Sequence, residues 1–433
     1  MKSLIRNIIL LLSLFCVSLS GCAKGTIAND KDSTSVAIPQ KHFSGSFIQN
    51  FLVRTWDDNR WNQEMEMLKE AGIKYLIYAP ALLTNNEDVM SAIYPTNIDK
   101  VESFDNTLEK CLKSAQKNGM KIFIGLNFND RWWRGDFSSD WLDEQMMMGN
   151  QVADELLSLY KNKYPDAMYG WYWVWEMANV GAETVDRQSA LAQALNVNLD
   201  HLNSVSPDMP FMLSPFMNEQ LGTASSYGDL WKNVFSQTHF RSGDIFAPQD
   251  CIGAGGLTID VLAEWFRELK RAVDSKPGLL FWSNVEIFDT YWASASLTRI
   301  QKQMDRVAPY VSDYICFAYS HYYSPFEVYN DYHKGYISYL NTGNLPQYNK
   351  PKSVSDLKLR SFSQGIELIW NMPDLDDVAG VNIYRDKVLI AKLPYKKNTL
   401  PNSFYDKNGY EHNKYEVATY NVIDQESVKV KAI

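Results

Sequence analysis

Two glutamates each end an apolar, aromatic-rich segment of the sequence. Glu176 closes MYGWYWVWE (168–176), and Glu286 closes LLFWSNVE (279–286). A carboxyl in such a setting needs a partner or a role, because burying an unpaired charge is costly. Hydrolysis of an acetal needs a proton for the departing oxygen and a carboxylate beneath the anomeric carbon. The pair therefore predicts cleavage of glycosidic bonds; the alternative is structural pairing of these carboxylates with Arg54, Arg131 or Arg134.

Eight strand-like segments alternate with amphipathic stretches of helical spacing between residues 45 and 320. The segments are GSFIQNF (45–51), KYLIYAPAL (74–82), KIFIGLNF (121–128), MYGWYWVWE (168–176), PFMLSPF (210–216), DIFAPQD (244–250), LLFWSNVE (279–286) and DYICFAYS (313–320). The helical spacing is clearest at Trp61, Met65 and Leu68, a run that ends at Gly72. Eight such units, with no glycine-rich dinucleotide fingerprint, predict an α/β fold with a (β/α)8 TIM barrel over residues 43–341.

Strand alternation predicts which side chains face the inside of this barrel. In the fourth segment Tyr172, Val174 and Glu176 share one face, and Trp171, Trp173 and Trp175 share the other. In the seventh segment Trp282, Asn284 and Glu286 share a face. If the tryptophans cover the sheet against the helices, both glutamates point into the same barrel mouth.

Polar and aromatic residues follow the other strand-like segments, where TIM barrels carry their active sites. Sugars present hydroxyl edges and apolar C–H faces, so amides, carboxylates and flat rings suit them; the alternative is that these aromatic side chains simply pack between loops. The candidate substrate-binding residues are Asn127, Asn129, Trp132, Trp133, Asn179, Gln249, Asp250, Trp292, Tyr319, His321 and Tyr323. The sugar-stacking platforms are predicted to be among Trp132, Trp133, Trp292 and Tyr323.

Composition excludes several other functions. The formal net charge is −9, and about −11 without Lys2 and Arg6, which disfavours binding to nucleic acid. The six histidines show no HxH or HExxH spacing, and the cysteines beyond the leader are far apart. We therefore expect no metal site, disulfide framework or cofactor, and a carbohydrate as the partner of a monomeric protein.

The first 22 residues have the features of an export signal. Lys2 and Arg6 precede an apolar run that is too short to span a bilayer, and Leu19-Ser20-Gly21-Cys22 follows. This resembles the bacterial lipobox, which implies cleavage before Cys22 and lipidation of that cysteine; the alternative is an ordinary secretory leader. Residues 23–42 are predicted to be a flexible tether. Because position 23 is Ala rather than Asp, resemblance to such lipoproteins implies the outer membrane, on its periplasmic or cell-surface face.

The C-terminal region has a different pattern. Residues 342–354 have a linker composition, and residues 355–433 contain short alternating strands bounded by turns, which predict a β-sandwich. Trp370, the phrase GVNIYRDKVLI and KYEVATYN with Tyr415 resemble a fibronectin type III domain. Such modules usually serve as spacers or docking surfaces.

The barrel resembles a family. Glutamates on strands 4 and 7 are the arrangement of the large retaining-glycosidase clan of (β/α)8 barrels, which implies that Glu176 is the acid/base and Glu286 the nucleophile. With its lipobox and trailing β-domain, the chain also resembles glycosidase-like lipoproteins of gut Bacteroidetes. That clan usually has Asn before its acid/base glutamate, to grip the sugar 2-hydroxyl, but here the position is Trp175. Asn179, Asn127 and Asn284 are the candidate substitutes.

Two functions follow from this sequence. The first is a retaining glycoside hydrolase, in which Glu176 carries a proton near neutral pH and Glu286 is ionised. We expect Asn284, Tyr319 or His321 to donate to the Glu286 carboxylate. The second is a non-catalytic glycan-binding lipoprotein on a degenerate TIM barrel, because the usual Asn is missing.

Overall fold

The computed structural model describes residues 41–103, 106–135, 138–396 and 399–432. The predicted leader, the lipidation site at Cys22 and all but the end of the tether lie outside these residues. No helix in the described ranges combines the length and the apolar character needed to cross a membrane.

Eight parallel strands close into a barrel, as the sequence predicted. Each strand pairs with its neighbours in chain order, and the first strand pairs with the eighth. The strands are Gly45–Gln49, Tyr75–Ala79, Lys121–Gly125, Met168–Trp173, Phe211–Leu213, Ile245–Phe246, Leu280–Glu286 and Asp313–Phe317. Most are shorter than the predicted segments, so Glu176 lies three residues past the end of its strand.

Helices surround the barrel. Their bounds are Asn50–Val53, Asp58–Glu70, Thr107–Asn118, Ser139–Leu156, Val185–Val205, Ala224–Gln237, Ile259–Val273, Leu297–Val307, Tyr319–Tyr322 and Asp331–Thr342. A 3-10 turn spans Asp130–Arg134, and a π-helical turn, Leu157–Lys161, extends the fourth helix. Several helices begin with a side-chain cap of the usual kind; Ser138 accepts from Trp141 N, for example.

The barrel separates two hydrophobic cores, and the alternation predicted for strand 4 is confirmed. Tyr172 and Trp282 belong to the core inside the barrel. Trp171, Trp173 and Trp175 belong to the larger core between the strands and the helices. The inner face of strand 4 therefore leads to Glu176, and that of strand 7 leads to Glu286.

A small sheet that the sequence analysis did not predict lies beside the third strand. Its four strands are Val101–Ser103, Met90–Ala92, Leu82–Thr84 and Asn127–Asn129, in that order. Three-residue strands carry too little periodicity to be recognised in a sequence.

Two antiparallel sheets follow the barrel. One contains Ser355–Phe362, Gly365–Asn371 and Ser403–Asp406. The other contains Val388–Pro394, Gly380–Arg385, Tyr415–Tyr420 and Val430–Lys431. Trp370 is buried in the core that they share. We refer to residues 355–432 as the sandwich domain.

The sandwich domain packs on the barrel close to the loop that follows the seventh strand. Lys392, whose side chain is 10% exposed, pairs with Asp289 of that loop at 3.2 Å. The hydroxyl of Tyr291 donates to the carbonyl oxygen of Leu389 at 2.9 Å. Tyr420 and Val422 join the outer core of the barrel. The position of this loop therefore depends on contacts with both domains.

Candidate active site

Glu286 lies at the end of the seventh strand and is 1% exposed. The backbone N–H of Ala254, in the loop after the sixth strand, donates to its Oε2 at 2.6 Å. The loop can approach this closely because residue 253 is glycine: a Cβ there would lie 2.4 Å from the Phe288 carbonyl oxygen and 3.0 Å from Glu286 Oε2. The sixth-strand loop thus supplies a backbone donor to the Glu286 carboxyl.

The backbone of Glu286 is fixed from three sides. Asp250 is fully buried and accepts from the Glu286 N–H at 3.1 Å and from the Gln303 side chain at 2.6 Å. Arg299 and Gln303 donate to the Glu286 carbonyl oxygen at 2.9 and 3.2 Å. We call Asp250, Ala254, Glu286, Arg299 and Gln303 the Glu286 cluster; it leaves the carboxyl little freedom to move.

Three causes act together on the protonation of Glu286. Burial, followed by the charge of Asp250, raises its pKa to about 8, although the Ala254 N–H opposes the shift. Burial also raises the pKa of Asp250 to about 6, against the stabilising hydrogen bond from Gln303. The expectation that Glu286 is ionised near neutral pH is therefore not met: the second buried carboxyl disfavours its charge.

The three side chains expected to donate to Glu286 are engaged elsewhere. Asn284 donates to Ser214 Oγ at 3.0 Å. Tyr319 is fully buried, and its hydroxyl is 2.9 Å from Nδ1 of His333. His321 Nε2 accepts from the backbone N–H of Gln49 at 3.2 Å, and burial lowers the pKa of His321 to about 4, so its ring is neutral.

Glu176 is held mainly through its backbone. Trp132 donates from Nε1 to the Glu176 carbonyl oxygen at 2.9 Å. The Gln249 side chain forms a hydrogen bond with the Glu176 carboxyl. Glu176 as a whole residue is only partly buried. Burial raises the pKa of Glu176 to about 7, against the effect of Gln249. We call Trp132, Trp175, Glu176 and Gln249 the Glu176 cluster.

Both carboxyls face the same barrel mouth. The charge of Glu176 contributes to the raised pKa of Glu286, and both glutamates raise the pKa of the buried Cys251 thiol. The charge of Asp250 acts on Glu286 more strongly than that of Glu176 does, so Glu286 and Asp250 are the carboxyls that titrate as a coupled pair.

Trp175, which directly precedes Glu176, faces away from the mouth. Its ring is 2% exposed and packs against Phe128, Trp132 and Trp141 at centroid distances of 5.1, 5.5 and 5.9 Å. Trp175 therefore packs against the shell of the barrel and cannot contact a sugar in the mouth.

The asparagines predicted to bind substrate have structural partners. Asn127 Oδ1 lies 2.8 Å from where a Cβ on Gly149 would be, so it faces the helix Ser139–Leu156. Asn129 caps the 3-10 turn by accepting from Arg131 N at 3.0 Å. Asn179 forms two hydrogen bonds with the backbone of Asn218, at 2.6 and 2.9 Å. These contacts favour structural roles for the three side chains, and their binding of substrate stays a prediction.

The four candidate stacking platforms divide into two groups. Tyr323 is fully buried and donates to the Ala295 carbonyl oxygen at 2.7 Å, and Trp132 is 7% exposed. Both rings are packed inside the protein, which favours Trp133 and Trp292 as the platforms among the four. Trp133 and Trp292 are partly exposed. Trp292 stacks on Phe288 with a centroid distance of 4.9 Å.

Sequence reasoning missed several neighbours of the carboxyls. Tyr322 stacks on the other side of Phe288 at 5.4 Å, and burial and the charge of Glu286 raise its pKa. Tyr172 lies inside the barrel, where burial and the charge of Glu176 raise its pKa. Tyr172 shares a strand face with Glu176, a signal that was available. The roles of Arg299 and Gln303 had no signal, because their contacts with the Glu286 carbonyl oxygen depend on how the helix Leu297–Val307 packs on the barrel.

Glu286 and Glu176 are not paired with the arginines that the structural alternative named. Arg134 donates to the carbonyl oxygen of Asn86 at 3.2 Å, and the cation that acts on Glu286 is Arg299. Among the residues that the structure describes, no group of three His, Cys, Asp or Glu side chains could hold a metal ion.

Solved structures similar to this one are barrels of glycoside hydrolases. A candidate α-L-fucosidase from Bacteroides thetaiotaomicron VPI-5482 matches with a TM-score of 0.56 and 20% identity, over 73% of this chain and 99% of that chain. An endo-1,4-β-mannanase from Rhizomucor miehei matches with a TM-score of 0.45 and 12% identity, over 65% and 89% of the two chains. The first match supports a glycosidase-like barrel fold; at this identity it establishes the fold alone.

Sequence comparison identifies a family whose description assigns no function. No curated protein matches the chain. Residues 43–329, which include both glutamates and most of the predicted barrel, match the family described as a domain of unknown function, DUF4434. This match covers more than half of the sequence, and the chain therefore belongs to the DUF4434 family.

Proposed function

We propose that this protein is a retaining glycoside hydrolase that uses Glu176 as the acid/base and Glu286 as the nucleophile. The observation that carries the proposal is the convergence of these two carboxyls on one barrel mouth, where each has a raised pKa. Perturbed carboxyls that influence each other are common at catalytic sites. The glycosidase-like barrel fold agrees with this assignment.

In the first step the two carboxyls act on opposite sides of the scissile bond. Glu176 donates its proton to the glycosidic oxygen, and the bond from that oxygen to the anomeric carbon breaks. The Glu286 carboxylate forms a new bond to the anomeric carbon, which leaves a covalent glycosyl-enzyme. The Glu286 cluster favours this role, because a nucleophile that forms a bond benefits from a fixed position.

In the second step Glu176 works as the base. It removes a proton from a water molecule, whose oxygen attacks the anomeric carbon and releases Glu286 as a carboxylate. This exchange of roles requires a carboxyl that gains and loses a proton readily. A pKa of about 7 places Glu176 in that range near neutral pH.

The experiment is hydrolysis of a glycan panel by the purified protein, with proton NMR of the first product formed. Retention of the anomeric configuration is expected, because two displacements at one carbon restore it. Inversion would contradict the nucleophilic role of Glu286. The absence of hydrolysis on every glycan, together with tight binding of one of them, would favour the second candidate function.

The second candidate is non-catalytic glycan binding on a degenerate barrel. The observation in its favour is that the asparagine which usually precedes the acid/base glutamate in the clan is missing. Trp175 occupies this position and faces the shell, and the side chain of Asn179 is bonded to Asn218. Gln249, which contacts Glu176 and is partly exposed, is the amide best placed to reach a sugar hydroxyl in its stead. Reduced hydrolysis by Gln249→Ala, with kcat lowered more than KM is raised, would favour catalysis over binding alone.

We also propose that the protein is lipid-anchored to the outer membrane through Cys22, on the periplasmic or cell-surface face. The support is the segment Leu19-Ser20-Gly21-Cys22 after a short apolar run. Cys22→Ala should leave a soluble protein in the periplasm that retains its activity. Membrane partitioning that is unchanged in this variant would contradict the proposal.

A further inference from the structure

Exposed aromatic side chains concentrate on one surface. Of the Phe, Tyr and Trp side chains that the structure describes, five are more than a third exposed. Phe51 is one; the other four line two adjoining grooves and are Tyr291 at 37%, Phe362 at 55%, Tyr405 at 49% and Tyr410 at 66%. Tyr291 belongs to the barrel loop after the seventh strand, and the other three belong to the sandwich domain. We call these four residues the aromatic surface.

Three of these exposed rings are held in place by neighbouring groups. The hydroxyl of Tyr291 donates to the Leu389 carbonyl oxygen, and that of Tyr405 donates to the Gln364 carbonyl oxygen. Phe362 packs edge-on against Tyr405 with a centroid distance of 6.1 Å. A ring that is already fixed loses little conformational entropy when a ligand covers it. Exposed, fixed rings are the form that a stacking platform takes.

The two grooves have room and polar groups for a chain of sugars. Their volumes are about 470 and 620 Å³, and they share Tyr405 and Lys407. Gln364, Asn408 and Glu411 also line them. Asp406 is used internally, since its carboxylate accepts from Arg385 and from the Tyr415 hydroxyl, both at 2.8 Å. Separate flat rings with amide and charged groups between them match the C–H faces and hydroxyl edges of a polysaccharide.

One groove includes a residue of the barrel. Tyr291 lines this groove and directly precedes Trp292, whose ring stacks on Phe288. Tyr291 therefore belongs to the loop that follows Glu286 and the seventh strand, whereas the other residues that line the groove belong to the sandwich domain.

We propose that the aromatic surface, formed by the sandwich domain and Tyr291 of the barrel, binds a neutral polysaccharide chain. This binding goes beyond the proposed function and does not depend on it. The sandwich domain would then anchor a polysaccharide, and it also holds the loop of Tyr291 through Lys392 and Asp289.

The test uses the full chain with Glu286→Gln, so that bound glycans are not cleaved. Affinity is measured by calorimetry for soluble mannan, arabinoxylan, β-glucan and galactan. In this background Tyr405→Ala and Tyr410→Ala should each weaken binding of the recognised polysaccharide by about five- to thirtyfold. Tyr405→Phe keeps the ring and should retain most of the affinity. Val428→Ala, an exposed apolar residue of the sandwich domain that lines neither groove, is the matched control.

The possible results distinguish glycan binding from contact between copies of the chain. No binding of any of the four polysaccharides, or equal binding by the Tyr405→Ala/Tyr410→Ala double variant, would overturn the proposal. A change in oligomeric state of the double variant, seen by light scattering with glycan affinity unchanged, would assign the surface to contact between copies of the chain and would also overturn it. If the unaltered protein cleaves no glycan but Tyr405-dependent binding persists, the proposed catalysis fails while this proposal stands.

Discussion

The Glu286 cluster and the Glu176 cluster hold the same chemical group in different ways. Glu286 is 1% exposed, and its carboxyl and both backbone polar groups are hydrogen bonded. Glu176 is more accessible, lies beyond the end of its strand, and has Gln249 as the hydrogen-bonding partner of its carboxyl. One carboxyl is fixed in place, and the other can exchange protons with its surroundings.

This difference matches the division of labour in a double displacement. A nucleophile must reach one carbon atom, so a fixed position helps it. An acid/base must protonate one oxygen and later deprotonate a water molecule, so a tunable pKa helps it. The contrast between the two clusters therefore makes separate predictions for each glutamate.

The largest effect is expected for Glu286→Gln. Removal of the nucleophile should lower kcat by about 10⁴-fold or more on every substrate, because no covalent intermediate can form. Steady-state hydrolysis of natural and activated substrates checks this. Glu264→Gln, on the exposed face of the helix Ile259–Val273, is the control and should have no effect. A small loss in the Glu286 variant would show that the two clusters have the opposite roles.

Glu176→Gln should have an effect that depends on the leaving group. Natural substrates should lose about 10²- to 10⁴-fold in rate, whereas an aryl glycoside with an acidic phenol should lose far less, since its phenolate departs without a proton. In Glu176→Ala, added azide should partly restore the rate and give a glycosyl azide of retained configuration. Equal losses on both substrates would contradict the acid/base role.

The next prediction concerns substrate binding by Trp292 and Trp133, which follow the seventh and the third strand of the barrel. Trp292→Ala should weaken binding by about five- to thirtyfold through lost contact with an apolar sugar face. Trp133→Ala is expected to act in the same direction. Affinities measured in the Glu286→Gln background check both. If neither change weakens binding, the sugar lies elsewhere in the mouth.

The smallest predicted change is a shift of the pH profile. The site is competent when Glu286 is ionised and Glu176 is protonated. Because the pKa of Glu286, about 8, lies above that of Glu176, about 7, this form is the minor singly protonated form in the free enzyme. Asp250→Asn removes the charge that raises the pKa of Glu286, so the optimum of kcat/KM should move to lower pH.

The control for the pH prediction is Glu176, whose pKa is raised by burial against the hydrogen bond from Gln249 and should stay in place in Asp250→Asn. The fraction of enzyme with Glu286 ionised and Glu176 protonated should therefore rise, and kcat/KM near neutral pH should rise with it. An unchanged optimum would mean that the charge of Asp250 does not reach Glu286 in the working enzyme.

Residues on the barrel strands and directly after some of them were predictable from the sequence. Trp171 and Trp173 alternate with Tyr172 along the fourth strand, and the same alternation continues past its end to Trp175 and Glu176. The same reasoning places Glu286 at the end of the seventh strand. Other residues after the strand ends do not follow this rule: Asn127 faces the helix Ser139–Leu156, and Asn179 bonds to Asn218.

Residues in the loops could not be placed in this way. Tyr319 and Tyr323 follow the eighth strand, but they lie on or beside a short helix whose packing buries both rings. The donor to Glu286 is a backbone N–H of Ala254, and side-chain identity says nothing about where an N–H points. Loop conformation therefore decided that Tyr319 does not donate to Glu286 and that Ala254 does, and a sequence pattern carries no information on loop conformation.

By itself the sequence determined the alternation of strands and helices, the number of barrel strands and the inward faces of Glu176 and Glu286, because these depend on local periodicity. Only the tertiary structure decided how each carboxyl is held, since Asp250, Ala254, Arg299 and Gln303 reach Glu286 from different elements. The tertiary structure also decided the raised pKa values of the carboxyls. They arise because the fold buries these groups and brings charged groups from separate segments of the chain close to them.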